Sequence, residues 1–532
     1  ILLSRIAGLL REVAISGYLG VGGAADAFKA ALRIPNLLQN LLGEGVLSAS
    51  FIPVYARLVD EEEKEGDAGR LAGAVAGLLC ALTSVLVVLG YVLARPLTVL
   101  LTPGFTGERL DLAVTLLRIM FPGIGFLVLS AWCLGILNSH RRFFLSYVAP
   151  VLWNAAQIAI VVAVAVAGAS EEGIARALAW GVLVGGLLQL AVQLPAVRSL
   201  TPGLRLSLDR SSPEVRSVLS RFGTVIVGRG AVQLLTYVDL FLASLLAVGA
   251  VSALTYGQVL YLLPISLFGM AVAAAELPEL SRLGRQGAAA MRARLDLGME
   301  RITFYVALTA SLYVFAGDVI VGALFQRGQF DAADTRLVWF VIGAFALGLL
   351  GTTRSRLLQN ALYALDRPRL VARIAVLRVA LAGLLGALLM FPLDRLAIVG
   401  SSVQRIGDVG FSPLPDALRL LDDGPPRLGI VGLALAASAS SWIEYRLLRG
   451  ALEWRVGKLP DLGHDSRWSL IAAGAVGVLA FGIRSVTDDL PRLVALLVVV
   501  VPATLTYLAI TATMAVSEAR VLVDRARRLL PG

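Results

Sequence analysis

Charged residues interrupt the first apolar segment of the chain. Arg5, Arg11 and Glu12 lie within residues 1–20, which otherwise have the composition of a membrane helix. A charge near the centre of a bilayer costs roughly 2.5–3.5 kcal/mol on insertion scales, so such residues usually face a water-filled cavity. A guanidinium keeps its proton and donates paired, coplanar hydrogen bonds, which suits phosphate oxygens. These residues therefore predict a cationic cavity for an anionic cargo.

A second group of charges follows at helical spacing. Asp26, Lys29 and Arg33 are three and four residues apart, so they lie along one stripe of a helix. Arg5 and Glu12 are seven apart and share a face of the preceding helix. Two neighbouring helices would thus present four cations and two anions to one interior. The alternative is that Asp26 and Lys29 lie at the membrane interface and that Arg5 extends its side chain to the headgroups.

Composition predicts an all-α polytopic membrane protein. Of 532 residues, 58% are hydrophobic and only 16% are charged, whereas soluble domains are about a quarter charged. Backbone groups in hydrocarbon must be hydrogen-bonded internally, which favours a helical bundle. The net charge of +10 does not indicate nucleic-acid binding, because nearly all the cations are arginine, a bias typical of genome composition. Cys80 and Cys133 have no disulfide or metal-ligand spacing, so no metal site is predicted.

The apolar segments predict about fourteen transmembrane helices. The second segment contains Pro35, Gly43, Gly45 and Pro53, so we expect it to be kinked or interrupted. The fourteen expected spans are 1–20, 24–56, 70–94, 109–137, 143–168, 174–198, 214–247, 251–280, 299–325, 336–364, 368–392, 427–449, 467–484 and 491–516.

The loops between these spans predict the orientation of the chain. Connections after even-numbered spans carry arginines, such as Arg141 and Arg142 or Arg367 and Arg369, whereas 168–173 has no cation. Short cationic loops face the cytoplasm. Both termini are therefore predicted to be cytoplasmic.

An internal repeat occurs at a constant offset of 225 residues. The matched positions are Pro53 and Pro278, Arg57 and Arg282, Phe105 and Phe330, Arg142 and Arg367, and Leu145 and Leu370. Six spans separate the two copies, so both have the same orientation, a pattern found among secondary transporters. The repeat predicts two parallel six-helix lobes, 1–199 and 213–456, and an extra helix pair at 465–520.

Other polar residues within the spans could control a gate. Glu44 lies between two glycines, which indicates either a flexible gate or a plain helix kink. In the seventh span, Arg229 and Gln233 are four apart and can face one interior, and Asp239 follows. The chain contains no phosphate-binding glycine loop with lysine, no HExxH, no GxSxG and no DDxxD, so no enzymatic activity is predicted.

Several long motifs resemble the MurJ/MviN family of lipid II flippases, which belongs to the multidrug/oligosaccharidyl-lipid/polysaccharide exporter superfamily. The resemblance begins at SRIAGLLREV and ADAFKAALRIPNLLQNLLGEGVLSASFIPVYARL. It continues in LTPGF (101–105), ILNSHRRFFLSYVAPVLWN (136–154), PISLFGMAVAAAELPELSR (264–282) and LFQRGQFDAADT (324–335). It covers residues 1–392 well and the remainder loosely.

The resemblance implies a transporter that works by alternating access in the bacterial cytoplasmic (inner) membrane. Its cargo would be lipid II, the undecaprenyl-pyrophosphate-linked peptidoglycan precursor, moved from the inner to the outer leaflet. The family's essential first-helix arginines match Arg5 and Arg11, and its acidic positions in the second and seventh helices match Asp26 and Asp239. The expected substrate site consists of Arg5, Arg11, Asp26, Lys29 and Arg33, and Asp26 would also form ion pairs that close one gate. Asp239 belongs instead to the expected gating or ion-coupling residues, with Glu44, Arg229 and Arg378.

The resemblance also bears on partners and driving force. The extra helix pair would form a lipid-binding groove, and membrane lipids and cell-wall synthesis proteins would be the other partners. No cofactor is expected, and the membrane potential or a monovalent cation would drive transport.

Three positions depart from the family pattern. Tyr256-Gly257-Gln258 stands where many relatives have an arginine, and Gln39 replaces another. Some relatives bind sodium through Asn and Asp of the eleventh span, whereas this chain has Val379 and Gly383 there, beside Arg378. We therefore expect no sodium site, and a pairing of Arg378 with Asp239 as a fixed cation.

The sequence leaves several functions other than lipid II transport open. The chain could export another polyprenyl-linked glycan, act as a drug antiporter of the same superfamily, or be a non-transporting scaffold paralogue. A drug antiporter should line its cavity with carboxylates, whereas this one is rich in arginine. A membrane enzyme acting on polyprenyl phosphates would need the acidic metal-binding motif that the sequence lacks.

Overall fold

The computed structural model describes residues 2–61, 65–235, 237–269, 288–408, 410–422, 424–487 and 489–529. The chain divides into two compact units. The first comprises Ile1–Ser252 with Arg327–Phe330, and the second comprises Ala253–Gln326 with Asp331–Gly532.

Helices make up nearly all of both units. The first twelve are α1 (Leu2–Leu19), α2 (Gly23–Leu42), α3 (Glu44–Ser50), α4 (Ile52–Asp60), α5 (Glu65–Val92), α6 (Ala94–Leu101), α7 (Gly107–Ser139), α8 (Phe143–Val166), α9 (Glu171–Leu200), α10 (Pro213–Leu235), α11 (Val238–Ser244) and α12 (Ala250–Pro264). A π-helical turn, Ile265–Gly269, follows α12. The rest are α13 (Ala288–Phe325), α14 (Ala332–Ala364), α15 (Pro368–Leu393), α16 (Asp416–Arg419), α17 (Gly429–Val456), α18 (His464–Arg484), α19 (Arg492–Thr513) and α20 (Ser517–Leu529).

The predicted class, an all-α polytopic membrane protein, is confirmed. Within the described ranges, eleven helical stretches are long and apolar enough to span a membrane. The second predicted span is interrupted, as expected, at Gly43 and Phe51. A Cβ at Gly43 would lie 2.4 Å from the carbonyl oxygen of Gln39, so this break needs a glycine.

A small hairpin departs from the all-helical expectation. It lies in the connection between α15 and α17 and consists of β1 (Leu396–Val399) and β2 (Ser402–Arg405). The amide of Ile398 donates to the carbonyl oxygen of Pro426 at 2.9 Å, and that of Leu428 donates to Leu396 at 2.9 Å. The two ends of this connection therefore lie next to each other.

The 225-residue offset recurs in the helices themselves. α7 and α14 both contain 33 residues and begin 225 positions apart. The break between α5 and α6 at Leu93 has a counterpart in a kink at Ala316 within α13, two residues short of the 225-residue offset. After α7 and α14 the chain makes the same turn, with Arg141 at φ 58° and Asp366 at φ 57°. The extra connection before α17 ends the constant offset.

The segment after α9 lies along a stripe of glycines on α5. Gly69, Gly73 and Gly77 are four apart and therefore share one face. A Cβ on each would lie 2.0–2.1 Å from a carbonyl oxygen of Pro202, Arg205 or Ser207. The amide of Ser207 donates to the carbonyl oxygen of Gly73 at 3.3 Å. Only glycine allows this close approach of two backbones.

Replacing a stripe glycine tests this packing. Gly73→Ala should lower the free energy of unfolding by about 1–3 kcal/mol, because the new methyl group must displace the segment. The thermal unfolding midpoint of the purified protein in detergent measures the effect. The matched control is Gly474→Ala in α18, where an added Cβ meets nothing within 4 Å. Equal midpoints for the two variants would contradict the close approach.

Candidate functional site

The first helix has an exposed apolar face and a buried polar one. The exposed stripe consists of Leu3, Ile6 and Leu10. At 100° per residue, positions 5, 12 and 16 lie on the opposite side of α1. Arg5 is half-buried there, and Glu12 and Ser16 are buried. The charges of α1 therefore point away from its apolar face, as the insertion cost requires.

Glu12 joins the two charged helices. One oxygen of its carboxylate, Oε1, accepts a hydrogen bond from Nη2 of Arg11 at 2.7 Å. The other, Oε2, accepts from Nζ of Lys29 on α2. The side chain of Lys29 is 2% exposed, whereas that of Arg11 is 14% exposed. The structure thus brings together two of the predicted cations, with Glu12 as their shared counter-ion and Arg11 as the accessible member.

Arg11 keeps unused hydrogen-bonding capacity. Its guanidinium carbon lies 4.8 Å from the ring centroid of Trp153 on α8, a cation–π contact that holds the group in place. Its Nε is buried and, within the described residues, has no hydrogen-bond partner. Oδ1 of Asn154 and Oε1 of Gln157, both on α8, are likewise buried and have no hydrogen-bond partner among the described residues. A positioned guanidinium with a spare N–H is suited to bind an oxyanion.

Arg33 lies further along the same stripe of α2 and is half-buried. Its carbonyl oxygen accepts a 2.7 Å hydrogen bond from the Tyr237 hydroxyl. Asp239, in the first turn of α11, and Glu12 both interact favourably with its positive charge. The predicted residues Arg33 and Asp239 therefore belong to the same electrostatic neighbourhood as Arg11 and Lys29.

Asp26 is enclosed by backbone donors. Its carboxylate accepts hydrogen bonds from the amides of Gly249 at 2.8 Å and Ser252 at 2.7 Å, at the start of α12. Nη1 of Arg109 donates to it at 3.4 Å. An acid in this position accepts hydrogen bonds from N–H groups that have no partner within the helix. Its negative charge also interacts favourably with the positive end of the helix dipole. Asp26 is therefore held by protein groups in this structure, and its predicted parts in the substrate site and in gate ion pairs stay predictions.

Sequence reasoning missed Arg109, the ion-pair partner of Asp26. It lies in the first turn of α7, and its guanidinium carbon is 4.2 Å from the ring centroid of Phe105. An arginine at the edge of a predicted span usually extends to the headgroups, so position alone gave no signal.

The second unit gives Arg378 a different partner from the predicted one. Its Nη1 lies 3.2 Å from Oε2 of Glu444 on α17, and Gln359 donates to the other oxygen of Glu444 at 3.0 Å. Sequence reasoning missed Glu444, although an isolated acid in an apolar span was a usable signal. The proposed pairing of Arg378 with Asp239 stays a prediction.

Two predicted gating residues cannot be placed. Glu44 lies in α3 and Arg229 in α10, but their side chains fall outside the described part of the structure. Their roles remain predictions. Among the described residues, no group of three or more His, Cys, Asp and Glu side chains could hold a metal ion.

Comparison with known proteins identifies the relatives of this chain. The family profile described as Lipid II flippase MurJ matches residues 15–405. A probable lipid II flippase MurJ of Rhizobium tropici is 33% identical over 394 residues, which are 73% of each chain. A lipid II flippase MurJ of Burkholderia cenocepacia is 34% identical over 383 residues, 70% of this chain and 73% of that protein.

Solved structures share the fold. A lipid II flippase MurJ in an inward closed conformation superposes with a TM-score of 0.70 at 21% identity and covers 98% of both chains. An inward-facing multidrug resistance MATE family transporter of the MOP superfamily gives 0.65 at 15% identity, over 85% of this chain and 94% of that one.

The enclosure of Asp26 predicts a large stability effect. Asp26→Asn places an amide group against backbone donors and removes the charge facing Arg109, so the free energy of unfolding should fall by about 2–4 kcal/mol. The control is Asp111→Asn, whose ion pair with Arg95 is exposed at 2.7 Å and should contribute less than about 0.5 kcal/mol. Thermal unfolding of both purified variants makes the comparison, and an unchanged midpoint for Asp26→Asn would refute the capping role.

Proposed function

The chain belongs to the lipid II flippase MurJ family, and we propose that its first unit binds the diphosphate of lipid II through Arg11, helped by Arg5, Lys29 and Arg33. Lipid II flipping is the function that the family profile and the relatives support. The chain is accordingly a transporter of the peptidoglycan pathway. The residues that perform the transport are our inference from the geometry of the site.

This assignment rests on the contacts and the accessibility of the Arg11 side chain. Its guanidinium is held by Glu12 and Trp153 and is partly accessible, and its Nε–H has no hydrogen-bond partner among the described residues. Because this N–H is buried in the conformation described, a phosphate oxygen would satisfy the donor in a conformation that exposes it. Lys29 and Arg33 would add favourable charge from α2, and Arg5 lies on the same polar side of α1.

Glu12 makes the binding reversible. In the absence of cargo it neutralises part of the charge of Arg11 and Lys29, which would otherwise be left unpaired in a low-dielectric environment. When the diphosphate arrives, it competes with this carboxylate for the N–H groups of Arg11. Transport requires only that two conformations bind the cargo differently, with no covalent chemistry.

For the transport cycle we propose the architecture that the sequence predicts. Fourteen helices would form two parallel six-helix lobes, 1–199 and 213–456, and an extra pair at 465–520 beside the prenyl chain. The recurrence of the 225-residue offset in α7 and α14 supports the duplication. Asp26 and Arg109 would tie the first lobe at its gate, and Glu44, Arg229, Asp239 and Arg378 would contribute to gating or ion coupling.

The membrane setting follows from the same proposal. The protein would be a multi-pass protein of the bacterial inner membrane with both termini in the cytoplasm, and cell-wall synthesis proteins would be its partners. The membrane potential could drive the cycle, since one unit charge moved through 100 mV supplies about 2.3 kcal/mol. Coupling to a monovalent cation is the other proposed source.

Substitution of Arg11 tests the assignment. Arg11→Ala should fail to support growth of a flippase-depleted bacterium and should reduce lipid II flipping in vesicles at least about tenfold, because a charge-assisted contact in a buried site contributes several kcal/mol. Arg11→Lys should also be impaired, since it keeps the charge but loses the planar fork and Nε.

The control is Arg70→Ala on α5, an exposed arginine of the same unit whose side chain is 83% exposed. It should complement fully. Thermal unfolding must show that the Arg11 variants are folded. If the folded Arg11→Ala protein transports at the wild-type rate, the proposed site is wrong.

A further inference from the structure

The turn between α7 and α8 carries a cationic cavity outside the cargo site. The cavity has a volume of about 580 Å³. Its polar lining is Arg141, Arg142 and Ser199, and its apolar lining includes Leu137 and Leu200. No acidic residue of the described structure lines it.

The two arginines of this turn are exposed and not engaged by protein acids. Neither guanidinium makes a hydrogen bond or ion pair to another side chain among the described residues. Next to them, Phe144 is 81% exposed and Phe143 is half exposed. Since α7, α8 and α9 each qualify as membrane spans, their common end lies at the membrane interface. Phenylalanine there meets acyl chains while arginine meets headgroups.

The turn is a fixed structure and not a loose loop. The hydroxyl of Tyr55, which is buried, lies 3.0 Å from Nε2 of His140 and 3.3 Å from the hydroxyl of Thr201. The amide of Arg142 donates to the carbonyl oxygen of Leu137 at 2.8 Å. These contacts hold Arg141 and Arg142 at the mouth of the cavity.

The backbone of the turn does not require arginine. At the corresponding turn after α14, the left-handed position is Asp366, and the amide of Arg367 donates to Leu362 at 2.9 Å in the same way. Short polar residues adopt this conformation more readily than arginine does. The turn would therefore form equally well with another residue in place of Arg141. The presence of an arginine there indicates a binding role.

We propose that this cavity is a binding site for an anionic glycerophospholipid of the adjacent leaflet. The phosphate would lie between Arg141 and Arg142, and an acyl chain would lie against Phe144 and the apolar wall. A lipid is favoured over a soluble anion because exposed phenylalanines and leucine side chains border the same cavity as the cations. The loop arginines assign this leaflet to the cytoplasmic side.

The test compares two double variants of the full-length protein in detergent. Native mass spectrometry measures the retention of phosphatidylglycerol and of phosphatidylcholine with identical acyl chains. Wild type should retain phosphatidylglycerol preferentially. In the Arg141→Asn, Arg142→Gln variant this preference should fall by about twenty-fivefold, since each arginine contributes roughly fivefold. Asparagine accepts the left-handed backbone, so the turn should still fold.

The matched control is Arg367→Gln with Arg369→Gln, which removes the same charge from the equivalent turn of the repeat and should keep the preference. Equal retention of both lipids by wild type, or equal loss in both variants, would overturn the site. Displacement of phosphatidylglycerol by millimolar inorganic phosphate would assign it to a soluble anion. A preference for undecaprenyl pyrophosphate that disappears in the same variant would assign it to cargo capture and would also overturn the phospholipid proposal.

Discussion

A buried carboxylate shared by two cations is the interaction on which the first unit depends. Glu12 accepts hydrogen bonds from its helical neighbour Arg11 and from Lys29 on α2, so one acid holds two helices together at membrane depth. Alone, each of these charges would cost several kcal/mol in that environment. Because two cations face one acid, the cluster retains positive charge that a diphosphate can neutralise.

In the proposed site, the same balance of charge would limit how tightly cargo is held. Arginines without any counter-ion would bind a diphosphate strongly in every conformation, and release would be slow. In the proposed site, an internal acid would weaken the complex and make its strength depend on the contact between Glu12 and Lys29, which lie on different helices. A small shift of α1 relative to α2 would then change the affinity for cargo, as alternating binding and release require.

Sequence predicted the features that are local or periodic. The spacing of charges along single helices identified Arg11 and Lys29, and the constant offset anticipated the equal lengths of α7 and α14. Contacts between distant segments were missed, as with Trp153 against Arg11 and Arg109 against Asp26. Packing over the whole unit determines which faces of two helices meet. The spacing of residues within one helix carries no information about these contacts.

The hairpin connection before α17 ends the constant offset of 225 residues. Its first and last residues are joined by main-chain bonds between Ile398 and Pro426 and between Leu396 and Leu428. These bonds hold the two ends of the connection beside each other, and the tip of the hairpin, residues 399–402, is exposed. The exposed turn at residues 400–401 is thus a natural insertion position, where an epitope or reporter sequence can extend the hairpin while the register of α15 and α17 is kept.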